Sequence, residues 1–340
     1  MAMITNENEL EDALSEPSTE AIAALSSLEG DVLLLGVAGK MGPSLARMVR
    51  RTFDLLGRRD RVLGASRFTS GGEEWLRAHG VETIRCDLLN SGELARLPDA
   101  PNVIYLTGMK FGATGNEPLT WAMNSYLPGM ACQRFCRSRI VAFSTGNVYG
   151  LSPVARGGST EDDPPSPVGE YAMSCLGRER MFEHFSRALG IPVALIRLNY
   201  ACDLRYGVLV DLACKVRDEQ PVDVSMGYFN TIWQGDANAL ALAAFGRAAT
   251  PPWIVNVTGP ELLSVRDVCE RFGRRWKKSV RFVGSEGETA LISSSRRCLE
   301  RLGRPRVTAE TLIDWVASWI ERGGRQLGKP TRFESRDGRF

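Results

Sequence analysis

An apolar run that ends in a glycine turn and opens into a helix constrains this chain more than any other feature. Residues 31–36, Asp-Val-Leu-Leu-Leu-Gly, read as a short buried parallel strand. The turn Gly36-Val37-Ala38-Gly39-Lys40-Met41-Gly42 follows, and residues 43–57 carry helical spacing. A diphosphate needs backbone N–H groups at a helix N-terminus with no Cβ in the way. Gly36 lets the strand turn sharply, Gly39 lets the backbone approach the phosphates, and Gly42 lets the helix pack on the strand. Lys40 and Met41 lie in the same turn and belong to the candidate binding set. The spacing is G-x-x-G-x-x-G rather than G-x-G-x-x-G, so the flanking strand and helix carry the weight. The alternative is a tight strand-to-helix turn with no ligand.

The alternation continues. Strands are expected at 61–66, 81–88, 102–108, 139–145 and 191–201, with helices at 73–80, 118–138 and 171–190. This predicts an α/β Rossmann-type domain, a doubly wound parallel sheet over 31–202 with 231–258 returning to it. Residues 203–230 and 259–325 are expected to form a smaller C-terminal α/β lobe that binds substrate. Residues 1–30 read as an appended arm with one short helix ended by Gly30. Residues 326–340 read as a loose polar tail, and the Pro-, Gly- and Ser-rich stretch 151–168 reads as a surface loop.

Charge and cysteine usage exclude several classes. The net charge is only +2 and no basic stripe is interleaved with aromatics, so nucleic acid is not an expected partner. The acidic, polar start carries no signal peptide, and no run of about 18 apolar residues exists. The eight cysteines are scattered and the chain has two histidines, His79 and His184, so no metal site is expected. Free thiols and a cytoplasmic location are expected.

The end of the second strand faces the adenosine ribose in this architecture. A carboxylate there binds the 2′-hydroxyl and repels a 2′-phosphate. The chain has Ser66-Arg67, which favours NADP, with NAD as the second choice. Asp87 and Leu88, ending the third strand, are placed to meet the adenine; a local capping role for Asp87 is the alternative.

With these features in order, the chain resembles the extended branch of the short-chain dehydrogenase/reductase superfamily, the epimerase/dehydratase-like group, from about Asp31 to Arg322. Beside the glycine turn, Cys86-Asp87-Leu88 resembles the adenine-side element. Leu106-Thr107-Gly108 resembles the turn beside the cofactor, and Asn124 falls where the group often has asparagine. Ser144-Thr145-Gly146-Asn147-Val148-Tyr149-Gly150 is similar to the S-S-x-x-V-Y-G motif, and Glu161-Asp162-Asp163-Pro164 to the acidic loop before the active-site helix. The resemblance implies that Thr145 binds the reacting oxygen and that Tyr171 moves the proton and touches the cofactor; the alternative for Thr145 is a cap on the strand end, bonded to nearby backbone.

It also implies a lysine one turn after the tyrosine, which holds the nicotinamide ribose and lowers the tyrosine pKa. That position is Cys175, and a thiol supplies neither the charge nor the donors of an ammonium. Three readings stand open. Arg178, Lys40 or Lys110 supplies the charge; the nicotinamide's own charge suffices; or Tyr171 is a packed residue and not a catalyst.

Sugar-nucleotide members carry R-x-x-N after the active-site helix, but here Arg197-Leu198-Asn199-Tyr200 puts tyrosine in the asparagine slot. Continued strand alternation would point Asn199 the other way. Trp233 and Tyr228 are read either as pocket-lining or as packed between lobes. The expectation is an NAD(P)-dependent oxidoreductase or epimerase acting at a hydroxyl or carbonyl carbon of a small polar, sugar-like molecule. The alternative is a dinucleotide-binding sensor or scaffold that has lost turnover. By resemblance, helices 118–136 and 171–189 pair in a homodimer.

Overall fold

Seven strands rich in aliphatic residues build one parallel sheet in this computed structural model, which describes residues 3–69, 71–110, 112, 114–329 and 331–338. They are β1 (Val32–Leu35), β2 (Val62–Ser66), β3 (Glu82–Arg85), β4 (Asn102–Tyr105), β5 (Arg139–Thr145), β6 (Val193–Leu198) and β7 (Trp253–Val257). Their spatial order is β7-β6-β5-β4-β1-β2-β3, every pair parallel, so the order reverses between β1 and β4. In such sheets a crevice opens outside the carboxyl ends of the strands at that reversal.

Both faces of the sheet are covered. Alternation along β1 sends Val32 and Leu34 into a core with Leu45, Val49 and Phe53 of helix 42–55, and Leu33 and Leu35 into a core with Leu127, Phe135 and Phe182. A third cluster gathers Val208, Phe229, Phe272, Trp315 and Trp319 from the C-terminal half. This is the expected doubly wound parallel sheet.

Two glycines set the junction. Gly36 has φ +86°, open to glycine at little cost. At Gly42, a Cβ would lie 2.0 Å from the Val37 carbonyl oxygen, so only glycine lets helix 42–55 sit this close to the turn.

The structure departs from the sequence reading at three places. The arm has two helices, Glu7–Leu14 and Thr19–Ser26, not one; Leu10 and Leu14 enter the third cluster, and Ala21 and Leu25 pack under the sheet. A helix at Gln234–Ala243 went unread because all ten of its residues are buried, which erases any polar stripe. The tail is not loose: Phe333 is buried in the third cluster against Phe229, and Thr331 is buried beside it. No helix of the described residues is long and apolar enough to cross a membrane.

Candidate active site

The glycine turn opens onto a cleft at the sheet's reversal. Gly36, Gly39, Lys40, Met41 and Gly42 line its inner part, and no side chain caps the N-terminus of helix 42–55. Leu106 is shared with an adjoining outer part lined by Ser66, Arg67, Asp87, Leu88, Thr107 and Gly108. Arg67 is exposed there. Asp87 Oδ1 accepts from the Leu89 N–H at 3.1 Å, so its carboxylate also caps the local turn. Thr107 is buried against Gly36, and its Oγ1 has no protein partner. A buried hydroxyl of that kind, beside uncapped helix amides, fits a polar ligand lying along the glycine turn.

Lys40 reaches across the cleft. Its Nζ donates to the Ala201 carbonyl at 3.0 Å and lies 3.8 Å from the centre of the Tyr206 ring. The residue as a whole is exposed, but its ammonium sits in the cleft, and desolvation there pulls its pKa down to about 8, opposed by Asp203.

Thr145 ends β5 in an extended conformation. Its Oγ1 accepts from the Asn147 N–H at 3.2 Å and donates to Asn147 Oδ1 at 3.0 Å, capping the short helix Gly146–Tyr149. Tyr171 stands in the first turn of the helix Gly169–Leu189 and faces the same cleft. Burial is the largest influence on its hydroxyl and holds it well above the ordinary tyrosine range, with Cys175 adding to it. Arg178 and a hydrogen bond with Thr145 pull the other way.

Positions 171, 174, 175 and 178 share one helix face. Cys175 is fully buried, and burial pushes its thiol up. Below it, Arg178 is also buried and donates to the Phe143 carbonyl and to Asn124 Oδ1, both at 2.7 Å. Asn124 sits in a π-helical turn, Ala122–Tyr126, and is the hub. It accepts from the Met109 N–H at 2.8 Å, and donates to the Met109 carbonyl at 3.0 Å and to Ser174 Oγ at 2.9 Å. The Arg178 guanidinium lies directly against Gly108, where a Cβ would be 2.3 Å from it. Lys110 lines the cleft from the loop after β4, with Nζ 5.9 Å from the centre of the Tyr171 ring; burial lowers its pKa to about 8.

A separate polar cluster fixes the floor. Arg197 of β6 forms a buried pair with Glu179 at 2.7 Å, and Ser144 Oγ donates to Glu179 Oε1 at 2.6 Å. Arg197 also donates to Tyr149 Oη at 2.6 Å, which in turn donates to Asn256 Oδ1 at 2.8 Å. Tyr149 of the motif is therefore a tie between strands, and burial pushes its hydroxyl up to about 12 against the pull of Arg197.

The sequence placed Thr145, Tyr171 and the glycine turn in one cleft, and they meet there. It missed Asn147, Tyr206, Val208 and Thr331, which also line it. Asn147 lay within the motif already singled out; the other three come from distant segments with no local signature. The expectation for Asn199 needs correction. β6 ends at Leu198 and Tyr200 takes φ +47°, so alternation stops, and both Asn199 and Tyr200 line the cleft. The Asn199 amide donates to Asn230 Oδ1 at 2.8 Å. Neither Trp233 nor Tyr228 is among the residues lining the cleft; Trp233 packs edge-on against Trp315 with centroids 5.5 Å apart.

Comparison with known proteins gives a consistent picture. The sequence profile of the NAD dependent epimerase/dehydratase family matches residues 32–202. No curated protein matches the chain. Similar solved structures include UDP-glucuronic acid 4-epimerase from Bacillus cereus in complex with NAD, 18% identical with TM-score 0.68, covering 86% of this chain and 99% of that one. Another is the dTDP-glucose 4,6-dehydratase DesIV from Streptomyces venezuelae with NAD and TYD bound, 22% identical with TM-score 0.70, covering 86% and 98%. A third is UDP-glucose 4-epimerase from Thermotoga maritima with UDP-glucose, 15% identical with TM-score 0.70, covering 86% and 99%. At these identities the likeness establishes the shared fold.

Proposed function

The chain belongs to the NAD dependent epimerase/dehydratase family, and from that premise we propose that it is an NAD(P)-dependent oxidoreductase or epimerase acting at a hydroxyl-bearing or carbonyl carbon of a small polar substrate. The observation that carries this reading is the meeting of Thr145 and Tyr171 in the cleft opened by the glycine turn, with a buried cation, Arg178, on the same helix beneath Cys175. Segments 203–230 and 259–325 serve as the substrate lobe.

The glycine turn and the N-terminus of helix 42–55 hold the pyrophosphate, and the Thr107 hydroxyl offers a donor or acceptor beside it. Bound there, the nicotinamide supplies hydride chemistry. The chain's own residues do the rest. Thr145 donates to the reacting oxygen, and Tyr171 Oη gives or takes its proton. An isolated tyrosine titrates near 10, so a base near neutrality needs a neighbouring positive charge. Arg178, as a positioning residue, pulls the hydroxyl in that direction, against the burial that raises it. It is held by a carbonyl and an amide oxygen, not by a carboxylate, so its charge remains available to the Tyr171–Cys175 pair above it. Lys110 adds a second charge from the cleft side. These two cations favour an active enzyme over a binding protein that has lost turnover.

NADP is the preferred coenzyme. Ser66 and Arg67 line the outer part of the cleft, and the residues that end β2 there are a hydroxyl and an exposed guanidinium rather than a carboxylate. We also read the chain as a homodimer. Leu119, Trp121, Tyr126 and Met173 are large exposed apolar side chains on the segments expected to pair.

Three measurements check these assignments. With NADPH and a panel of sugar-derived carbonyls, Tyr171→Phe is expected to lower kcat by about 10²–10⁴-fold; equal rates for wild type and variant remove Tyr171 from the mechanism. Arg67→Ala is expected to weaken NADPH by roughly tenfold, about 1.4 kcal/mol, and NADH hardly at all. Equal weakening of both contradicts the NADP assignment. Light scattering should give twice the 37.4 kDa chain mass, and a monomer at micromolar concentration excludes the dimer.

A further inference from the structure

The C-terminal segment contributes to the cleft from the far end of the sequence. Thr331 lines it beside Tyr206, Gly207 and Val208. Its position is fixed: Asp211 Oδ2 accepts from both the Thr331 N–H at 2.7 Å and Thr331 Oγ1 at 2.6 Å. Phe333 is then buried with its ring 6.1 Å from that of Phe229. Arg336 donates to the carbonyls of Ser225 at 3.0 Å and Thr289 at 2.8 Å, and to Thr289 Oγ1 at 2.6 Å. Gly338 lies so close to Val168 and Gly169 that a Cβ on it would be 2.1 Å from the Val168 carbonyl oxygen. The segment therefore runs from the second lobe to the start of the helix that carries Tyr171.

Two consequences follow for a ligand. The inner cleft encloses about 270 Å³, below the roughly 300–1,000 Å³ of ordinary ligand pockets, and it must hold both nicotinamide and substrate. Past Thr331, the Phe333 ring packs against Phe229, and the Arg336 guanidinium takes up the Ser225 and Thr289 carbonyls. Of the residues lining the cleft, those after Cys202 are Tyr206, Gly207, Val208 and Thr331, none of them charged. A nucleoside diphosphate calls for charge-assisted donors, and the Lys40 ammonium that reaches this side is already held on the Ala201 carbonyl and the Tyr206 ring.

We propose that residues 331–338 are a fixed wall of the reaction cleft, occupying the groove that the distal part of a long substrate would need, and so restrict the substrate to a compact sugar-sized hydroxyl or carbonyl compound with no nucleotide attached. This rests on the reading that the cleft holds nicotinamide and substrate together. It also separates the chain from its structural neighbours solved with UDP-glucose or TYD.

The test is calorimetric titration of UDP-glucose into the NADPH-loaded full chain, a Thr331→Ala, Phe333→Ala double variant, and a chain ending at Lys329. Thermal melts establish which variants are folded, and the double variant serves if truncation unfolds the lobe. The full chain should give no saturable heat up to about 1 mM, and a folded tail-released form should bind at least about tenfold more tightly. Micromolar binding by the full chain overturns the proposal, as does a folded tail-released form that binds no better. NADPH is titrated alone as a separate readout, and UDP-glucose is titrated without it as well. Loss of NADPH binding then refutes the coenzyme reading, while the wall is judged on UDP-glucose.

Discussion

A buried positive charge held by neutral oxygens is the constraint around which this site is arranged. Moving a guanidinium out of water costs several kcal/mol even after relaxation, and a carboxylate partner is the ordinary remedy. Arg178 has instead the Phe143 carbonyl and the Asn124 amide oxygen. The adjacent carboxylate, Glu179, is engaged by Arg197 and Ser144. The Arg178 charge is thus left to act upward, on the thiol of Cys175 and the hydroxyl of Tyr171. An arrangement that costs stability and sits under a cleft is what the proposed role of Arg178 calls for.

The rest of the fold makes that placement possible. Gly108 gives the guanidinium room that any side chain would take. The π-helical turn aims Asn124 at both Arg178 and the Met109 backbone, so the loop after β4 is tied to the active-site helix. Cys175, small and neutral, occupies the position where a lysine would bring its own ammonium. In the proposed mechanism the lysine's role is split between two residues: Cys175 leaves the space, and Arg178, one turn further down, provides the charge.

Much of the architecture was readable from residues because it follows from periodicity. All the strands but β3, which is Glu-Thr-Ile-Arg, announce themselves as apolar runs, and the glycine turn as a spacing with a steric reason at each glycine. The helix Gln234–Ala243 was not readable, since burial on every side removes the polar face that periodicity detects. The tail was misread for the opposite reason. Its sequence is polar, and a single phenylalanine with a few side-chain hydrogen bonds anchors it. At the site, the motifs pointed to Thr145 and Tyr171, which line one cleft, and helical spacing put Arg178 on the Tyr171 face of its helix. The places of the three candidate cations were not readable from sequence: Lys40 reaches to Ala201 and Tyr206, Lys110 lies at the cleft wall, and Arg178 lies beneath Cys175.

The most direct test of the central claim is the pH dependence of turnover in folded Arg178 variants. Removing a cation disfavours the ionised tyrosine, so in the oxidation direction the activity of Arg178→Gln should rise only at a pH about one unit or more above that of wild type. Arg178→Lys should restore most of the shift. A folded Arg178→Gln enzyme with the wild-type profile would contradict the assignment and return the charge of the site to Lys110 or to the coenzyme itself.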